Sequence, residues 1–296
     1  MIVALLFLLL VATVIVVGVL TPPTEVDVQE WAKAHAIALD GANETTAARY
    51  LRHYLKESKR SRRLGAVVGN FVGMVASWSL SLDRHEHADF INLHWILGGY
   101  LVGGIYAEFA LSRPADTVGR VAALDVRQKS DYRPRRLSVI LAIVTFAVVL
   151  LAISGARGDR LASATSRQKV GWPASNFVVY LTIALLIQGG GEFLAQRIAA
   201  RPRRMTEPSL VAADDAIRSQ SIHTVYGSIL ALELSLMALV LTRLADSGYP
   251  GLHNALRQSA LVALLAALFC WRYYSHRAWR VPKRSLHEAA AGLPSI

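Results

Sequence analysis

Long apolar runs constrain this chain more than any other feature. MIVALLFLLLVATVIVVGVL (1–20), LGAVVGNFVGMVASWSLSL (64–82) and LSVILAIVTFAVVLLAISG (137–155) carry no ionisable side chain. A soluble chain of 296 residues buries its core with short periodic stripes, whereas uninterrupted runs approaching roughly 20 residues match a helix that crosses a hydrocarbon layer. Four weaker runs, 92–111, 174–196, 222–244 and 256–275, are interrupted by Glu108, Glu192, Glu233 and, near a start, Arg257. The expected fold is all-α: a polytopic transmembrane helical bundle of about seven spans, forming one integral membrane domain over 1–296. The first run, about 2–20, exceeds a signal-peptide core, lacks a basic start and ends in TPPTE without a small-x-small cleavage pattern, so it is read as a retained anchor.

Orientation follows from basic residues, which are retained beside spans on the cytoplasmic side. Segments 21–63, 112–136, 197–221 and 272–296 hold 25 of the 32 Lys and Arg residues, which predicts an outside N-terminus and an inside C-terminus in the cell membrane. The net charge of +11 is spread over these four segments, a distribution that suits anionic inner-leaflet lipid and not nucleic acid. Within the basic cytoplasmic segment 21–63, ETTAARYLRHYLKESKRSRR (44–63) sets Ala47, Leu51, Tyr54 and Leu55 on one helix face and is expected to lie on the inner surface. A lone cysteine, Cys270, excludes an intrachain disulfide and a cysteine-rich metal site.

The chain also repeats itself. YAEFALSRP followed by VAALDVRQKS matches GEFLAQRIAARP followed by VAADDAIRSQS. With one inserted residue, Glu108, Asp125, Arg127 and Ser130 align with Glu192, Asp215, Arg218 and Ser221. A duplicated hairpin, spans 3–4 and 5–6, is the expectation. The loop SLVAADDAIRSQSIH (209–223), following RPRRM, resembles a segment of an uncharacterised family of actinobacterial multi-pass integral membrane proteins, mainly over the second half of the chain. The resemblance implies a membrane fold and brings no activity, cofactor or site residue with it. In this loop Asp214 and Asp215 either cap or pair with Arg203, Arg204 or Arg218, or stand on a solvated helix with weak surface ion pairs.

Packing is strongly marked. Gly65, Gly69, Gly73, Ser77 and Ser81 recur every fourth residue and leave one helix face without bulk, and Gly99 and Gly103 offer a matching face on the next span. Asn70 lies beside the first of these faces, able to hydrogen-bond to a neighbouring helix.

The candidate chemistry is intramembrane. Gln188, Glu192 and Gln196 line one helix face, with Gly189, Gly190 and Gly191 able to permit a break there. Glu108 and Glu192 sit near the ends of their spans, whereas Glu233 is near the middle of its own, with Tyr226 on the same face. A central acidic residue costs roughly 2.5–3.5 kcal/mol on insertion scales, so Glu233 is neutral, paired across the bundle or turned to water. The outer loop DRHEHAD (83–89) presents His85 and His87 as weak metal-ligand candidates, since ligands on a short turn fix no tetrahedral geometry. No phosphate loop, H-E-x-x-H pair or G-x-S-x-G elbow is present, and neither enzyme activity nor a bound cofactor is expected.

Three functions compete. The first is a transport-related membrane component with intramembrane carboxylates, energised by an ion gradient or a separate ATPase. The second is a non-catalytic scaffold or regulatory subunit that joins a partner membrane subunit through small-residue seams. The third is a metal-dependent membrane enzyme using the outer histidines. The topology has a direct test: in a Cys270-free background, single cysteines in 83–91 should label from outside and those in 197–221 only from inside, and reversed labelling would reject the orientation.

Overall fold

The computed structural model describes residues 23–35, 37, 46–81, 98–107, 135–165, 175–200, 208–246 and 251–276, and every regular element among them is an α-helix. In chain order these are α1 (Glu25–Ala34), α2 (Thr46–Ser81), α3 (98–107), α4 (Arg135–Thr165), α5 (Ser175–Ala199), α6 (Pro208–Asp246) and α7 (His253–His276). Four of them, α4 to α7, are long and apolar enough to cross a membrane, over Arg136–Gly155, Val178–Ala199, Val211–Ala245 and His253–Tyr274. The runs 64–82 and 92–111 coincide with the second half of α2 and with α3, and the first run lies outside the described residues.

Two expected boundaries between loop and span do not exist. Within the basic segment, 46–63 continues without a break into the apolar run as one helix of 36 residues. Likewise 209–221 is the start of α6, a helix of 39 residues opened by Pro208, whose missing N–H is no loss at a first helical position. At about 1.5 Å per residue, α6 is far longer than a hydrocarbon core is thick.

The described residues form two compact units. One takes those before Tyr132 together with Ile198–Ser221; the other takes those of Arg133–Arg197 and Ile222–Arg277. In the first unit, α1 begins with a reciprocal cap: Thr24 N–H donates to Asp27 Oδ2 (2.9 Å) and Asp27 N–H donates to Thr24 Oγ1 (3.2 Å). The Thr24 backbone bond, and then Lys59 at 3.1 Å, hold the Asp27 carboxyl below the usual carboxylate range. Lys59–Asp27 and Arg52–Glu25 (3.0 Å) tie α2 to α1 at their exposed rim, where such pairs each contribute little.

Beneath that rim lies an apolar cluster. Val28, Ala32, Leu51 and Tyr54 close on Ala213, Ala216 and Ile217 of α6, with Leu55 packed alongside. The face expected to rest on lipid is therefore covered by protein: Ala47, Leu51 and Tyr54 are buried. The sequence pattern located an apolar face correctly, but periodicity does not say whether a helix or a bilayer covers it.

Along α2 and α3 the glycines meet backbone to backbone. A Cβ at Gly65 would lie 2.7 Å from Gly103 Cα, one at Gly99 would lie 2.6 Å from Gly69 Cα, and one at Gly103 would lie 3.0 Å from Gly65 Cα. Neither backbone can yield, so only glycine allows this approach. Gly73 and Ser77 continue along α2 beyond the described side chains. Beside the seam, Asn70 Oδ1 is buried with no hydrogen-bond partner among the described residues. Replacing Gly99 with Ala should lower the melting temperature of the purified protein, by about 1–3 kcal/mol in stability. Gly98→Ala should not, because a Cβ at Gly98 meets nothing within 4 Å. Equal melting of both variants and the parent would reject the close approach.

Candidate functional site

The second unit is built around the apolar half of α6. No residue of α6 from Ala213 to Ala245 is exposed, whereas Ile143 and Phe146 on α4, Leu186 and Phe193 on α5, and Val262 and Phe269 on α7 all are. Large apolar side chains displayed on helices of spanning length suit contact with acyl chains. Their opposite stripes are buried: Leu141, Val148 and Ala152 on α4, and Ala184, Gly191 and Ala195 on α5.

Gly191 sets the distance between α5 and α6. A Cβ there would collide with the Ile229 side chain, 2.6 Å from its Cγ1, so the missing side chain is the space that Ile229 fills. Gly189 and Gly190 have open space where a Cβ would be, and α5 runs unbroken from Ser175 to Ala199. The break that three consecutive glycines permit does not occur. Every helical backbone bond that a break would release must find another partner in an apolar surrounding, a cost larger than the weak helix propensity of glycine.

Close to the Gly191 contact, Tyr226 O–H donates to Glu192 Oε1 at 3.2 Å. Tyr226 shares a face with Glu233, as the helical spacing requires, but its polar tip goes to the neighbouring helix. Glu233 itself is fully buried, and neither of its carboxyl oxygens has a hydrogen-bond partner among the described residues. The same holds for Gln188 Oε1 and Thr145 Oγ1, both buried atoms. Gln196 is exposed, and Glu108, His85 and His87 lie outside the described residues. Thr145 was not legible as a site residue, because a single threonine in an apolar run is ordinary helix content.

The first unit contains a second buried polar cluster. Arg218 donates to Asp214 Oδ2 through Nη2 (2.6 Å) and Nε (2.9 Å), Tyr50 O–H donates to Asp214 Oδ1 (3.2 Å), and Arg218 Nη1 donates to the Ala199 carbonyl (3.4 Å). Arg218 is 1% exposed, which rules out the solvated helix considered for this segment. Tyr54 O–H lies 3.4 Å from Ser221 Oγ, and the His35 ring, stacked on Trp31, meets the Trp31 carbonyl (2.8 Å) and Gln220 Oε1 (3.4 Å). Burial holds the His35 imidazole below its ordinary value, against the opposing pull of these two bonds. Asp214 and Arg218 stand four residues apart, the spacing of a helical ion pair. That spacing gave no sign that Tyr50 and Ala199 would enclose them.

Among the described residues no three His, Cys, Asp or Glu side chains come together as a metal site. No family model, curated protein or solved structure matches the chain. Two kinds of buried carboxylate remain to be interpreted: Asp214, with both oxygens engaged, and Glu233, with neither engaged among the described residues. Arg218→Met should show what the first is for. Leaving a buried carboxylate without its cation should cost about 3–5 kcal/mol, read as a large fall in melting temperature. A change below about 1 kcal/mol would mean that water replaces the guanidinium there.

Proposed function

We propose that this chain is a transport-related multi-pass protein of the cell membrane, in which Glu233 is the group that takes up and releases a positive charge. The observation that carries the reading is a carboxyl group enclosed within an apolar helix, without a compensating partner among the described residues. Ionisable groups inside spans are costly and mark ion or proton routes in membrane proteins. Tyr226 and Glu192, joined by a hydrogen bond, extend the polar face of α5 and α6 toward the basic end of α5 and are the proposed continuation of that route.

The topology has support of the same kind. Segments 21–63 and 197–221 pack on one another through Val28, Leu51, Ala213 and Ile217, which supports a place for both on one side of the membrane. That place would ask for an even number of crossings between them, which the runs 64–82, 92–111, 137–155 and 174–196 would supply. One feature offered for the scaffold reading, the small-residue seam, is met within the chain, where Gly65, Gly69, Gly99 and Gly103 approach one another. Contact of the basic segments with anionic lipid, and a separate ATPase or partner membrane subunit, remain parts of the proposal.

The test is gradient-driven uptake of a solute panel by the purified chain in sealed vesicles, compared with Glu233→Gln. Glutamine keeps the shape and hydrogen-bonding capacity but cannot release a proton or carry a negative charge. The variant should fold with an unchanged melting temperature and lose uptake. Full uptake with an unaltered pH profile would make Glu233 architecture, and absence of uptake by the parent chain would return the scaffold reading.

A further inference from the structure

The helices of the second unit are in a register that can be read from their apolar contacts. Ile229 fills the space beside Gly191, and Leu236 clusters with Ala184, so seven residues along α6 (229 to 236) match seven back along α5 (191 to 184). Val240 packs with Tyr180 at the next step, which continues the same antiparallel register. Between these contacts, Gln188 on α5 and Glu233 on α6 fall at one level. Both belong to inward stripes: Ala184, Gln188 and Gly191 on α5, and Tyr226, Ile229, Glu233, Leu236 and Val240 on α6.

α4 joins at the same level. Val148 shares the cluster of Ala184 and Leu236, and Leu151 shares that of Tyr180 and Val240, so α4 runs parallel to α6. Three residues before Val148 is Thr145, and three before Leu236 is Glu233. Thr145 also lies on the buried stripe of Leu141, Val148 and Ala152. Register alone brings Thr145, Gln188 and Glu233 to one layer. These are three of the residues whose buried oxygens have no partner among the described residues.

We infer that Thr145, Gln188 and Glu233 form one buried, oxygen-lined site for a single monovalent cation, sodium. The inference rests on the proposed role of Glu233 and names its cargo or coupling ion. The donor set is a carboxylate, an amide carbonyl and a hydroxyl, all hard oxygens of the kind that bind alkali and alkaline-earth cations in preference to soft metals. One carboxylate supplies one negative charge, which one monovalent cation neutralises, whereas a divalent ion would leave an uncompensated charge in an apolar surrounding. A proton on Glu233 also answers the charge, but it sits on one of the three side chains' oxygens, of which the Thr145 hydroxyl can itself donate as well as accept. A cation contacts all of them at once.

The ionisable groups of α4 to α7 near this level are few. α4 has none between Arg136 and Arg157, and between His223 and Arg243 α6 has, besides Glu233, Tyr226, whose O–H donates to Glu192. On α5 the neighbours are Tyr180 and Glu192, the latter bonded to Tyr226. α7 runs antiparallel to α6, with Ala263 beside Ala238 and Tyr274 beside Gly227, which sets Ala267 and Leu268 at the level of Glu233 and Cys270 a turn nearer Tyr274.

The experiment reads binding without transport. The full chain in detergent is melted in sodium chloride and in choline chloride at equal ionic strength and fixed pH, because a ligand that binds only the folded state raises the melting temperature with its concentration. Sodium should stabilise the parent. Thr145→Val and Gln188→Leu should need roughly tenfold more sodium for the same shift, and Glu233→Gln should not respond. Should a variant fail to fold, the parent alone decides: sodium should slow modification of Glu233 by a hydrophobic carbodiimide, which attacks the protonated carboxyl. Equal melting in the two salts together with sodium-independent modification would overturn the site. Modification that falls with rising pH but ignores sodium would overturn it too, leaving the transport reading with a proton in place of the metal ion. Sodium binding without any gradient-driven uptake would keep the site and end the transport reading.

Discussion

The contact between Gly191 and Ile229 governs the second unit. Removing one side chain from α5 lets a β-branched side chain of α6 occupy the vacated volume, so the two helices are both close and longitudinally fixed. A sliding pair of apolar helices has many nearly equal packings; a side chain inserted into the only gap of its size has one. From that lock follow the meeting of Tyr226 with Glu192 and the cluster of Val148, Ala184 and Leu236. The level at which Gln188 faces α6 follows as well. Ile229 therefore positions polar groups while having no polarity of its own.

Among the buried carboxylates of α6, Asp214 and Glu233 are treated in opposite ways, and the contrast clarifies both. Asp214 has an arginine one turn away and a tyrosine from α2, so each of its oxygens accepts a hydrogen bond and its charge is neutralised where it stands. Such an arrangement is hard to open, because removing any member leaves the others uncompensated. Glu233 has no cation on its own helix until Arg243, and no hydrogen-bond partner among the described residues. A group in that state is the one whose charge can change at small structural cost.

The glycine seam of α2 and α3 works by the same exclusion of bulk but to a different end. Backbone meets backbone there, with Asn70 at its margin. Small residues in membrane helices are often read as surfaces for other subunits; in this chain Gly65, Gly69, Gly99 and Gly103 are spent on a contact inside the chain. The outward faces of α4, α5 and α7 instead carry Ile143, Phe146, Leu186, Phe193 and Phe269, the composition expected against acyl chains.

Run length and hydropathy by themselves determined the helical class, the positions of α4 to α7 and the identity of Glu233 as an anomalous residue, because a hydrocarbon solvent imposes its demands on a single segment at a time. Spacing of small residues likewise pointed to Gly65, Gly69, Gly99 and Gly103, since close approach depends on the missing side chain itself. What the sequence left open was every property that requires a second helix. Nothing in 44–63 distinguished a covering of α1 and α6 from a covering of lipid, and nothing in DDAIR announced that Tyr50 and Ala199 would enclose its ion pair. The continuity of α5 through Gly189–Gly191 follows from the cost of freeing backbone hydrogen bonds, which outweighs propensity. Thr145 and Gln188 gained meaning only from the register of α4 and α5 against α6. Interhelical register depends on which side chain fits which gap, a property of two surfaces together, and neither strand of text contains it alone.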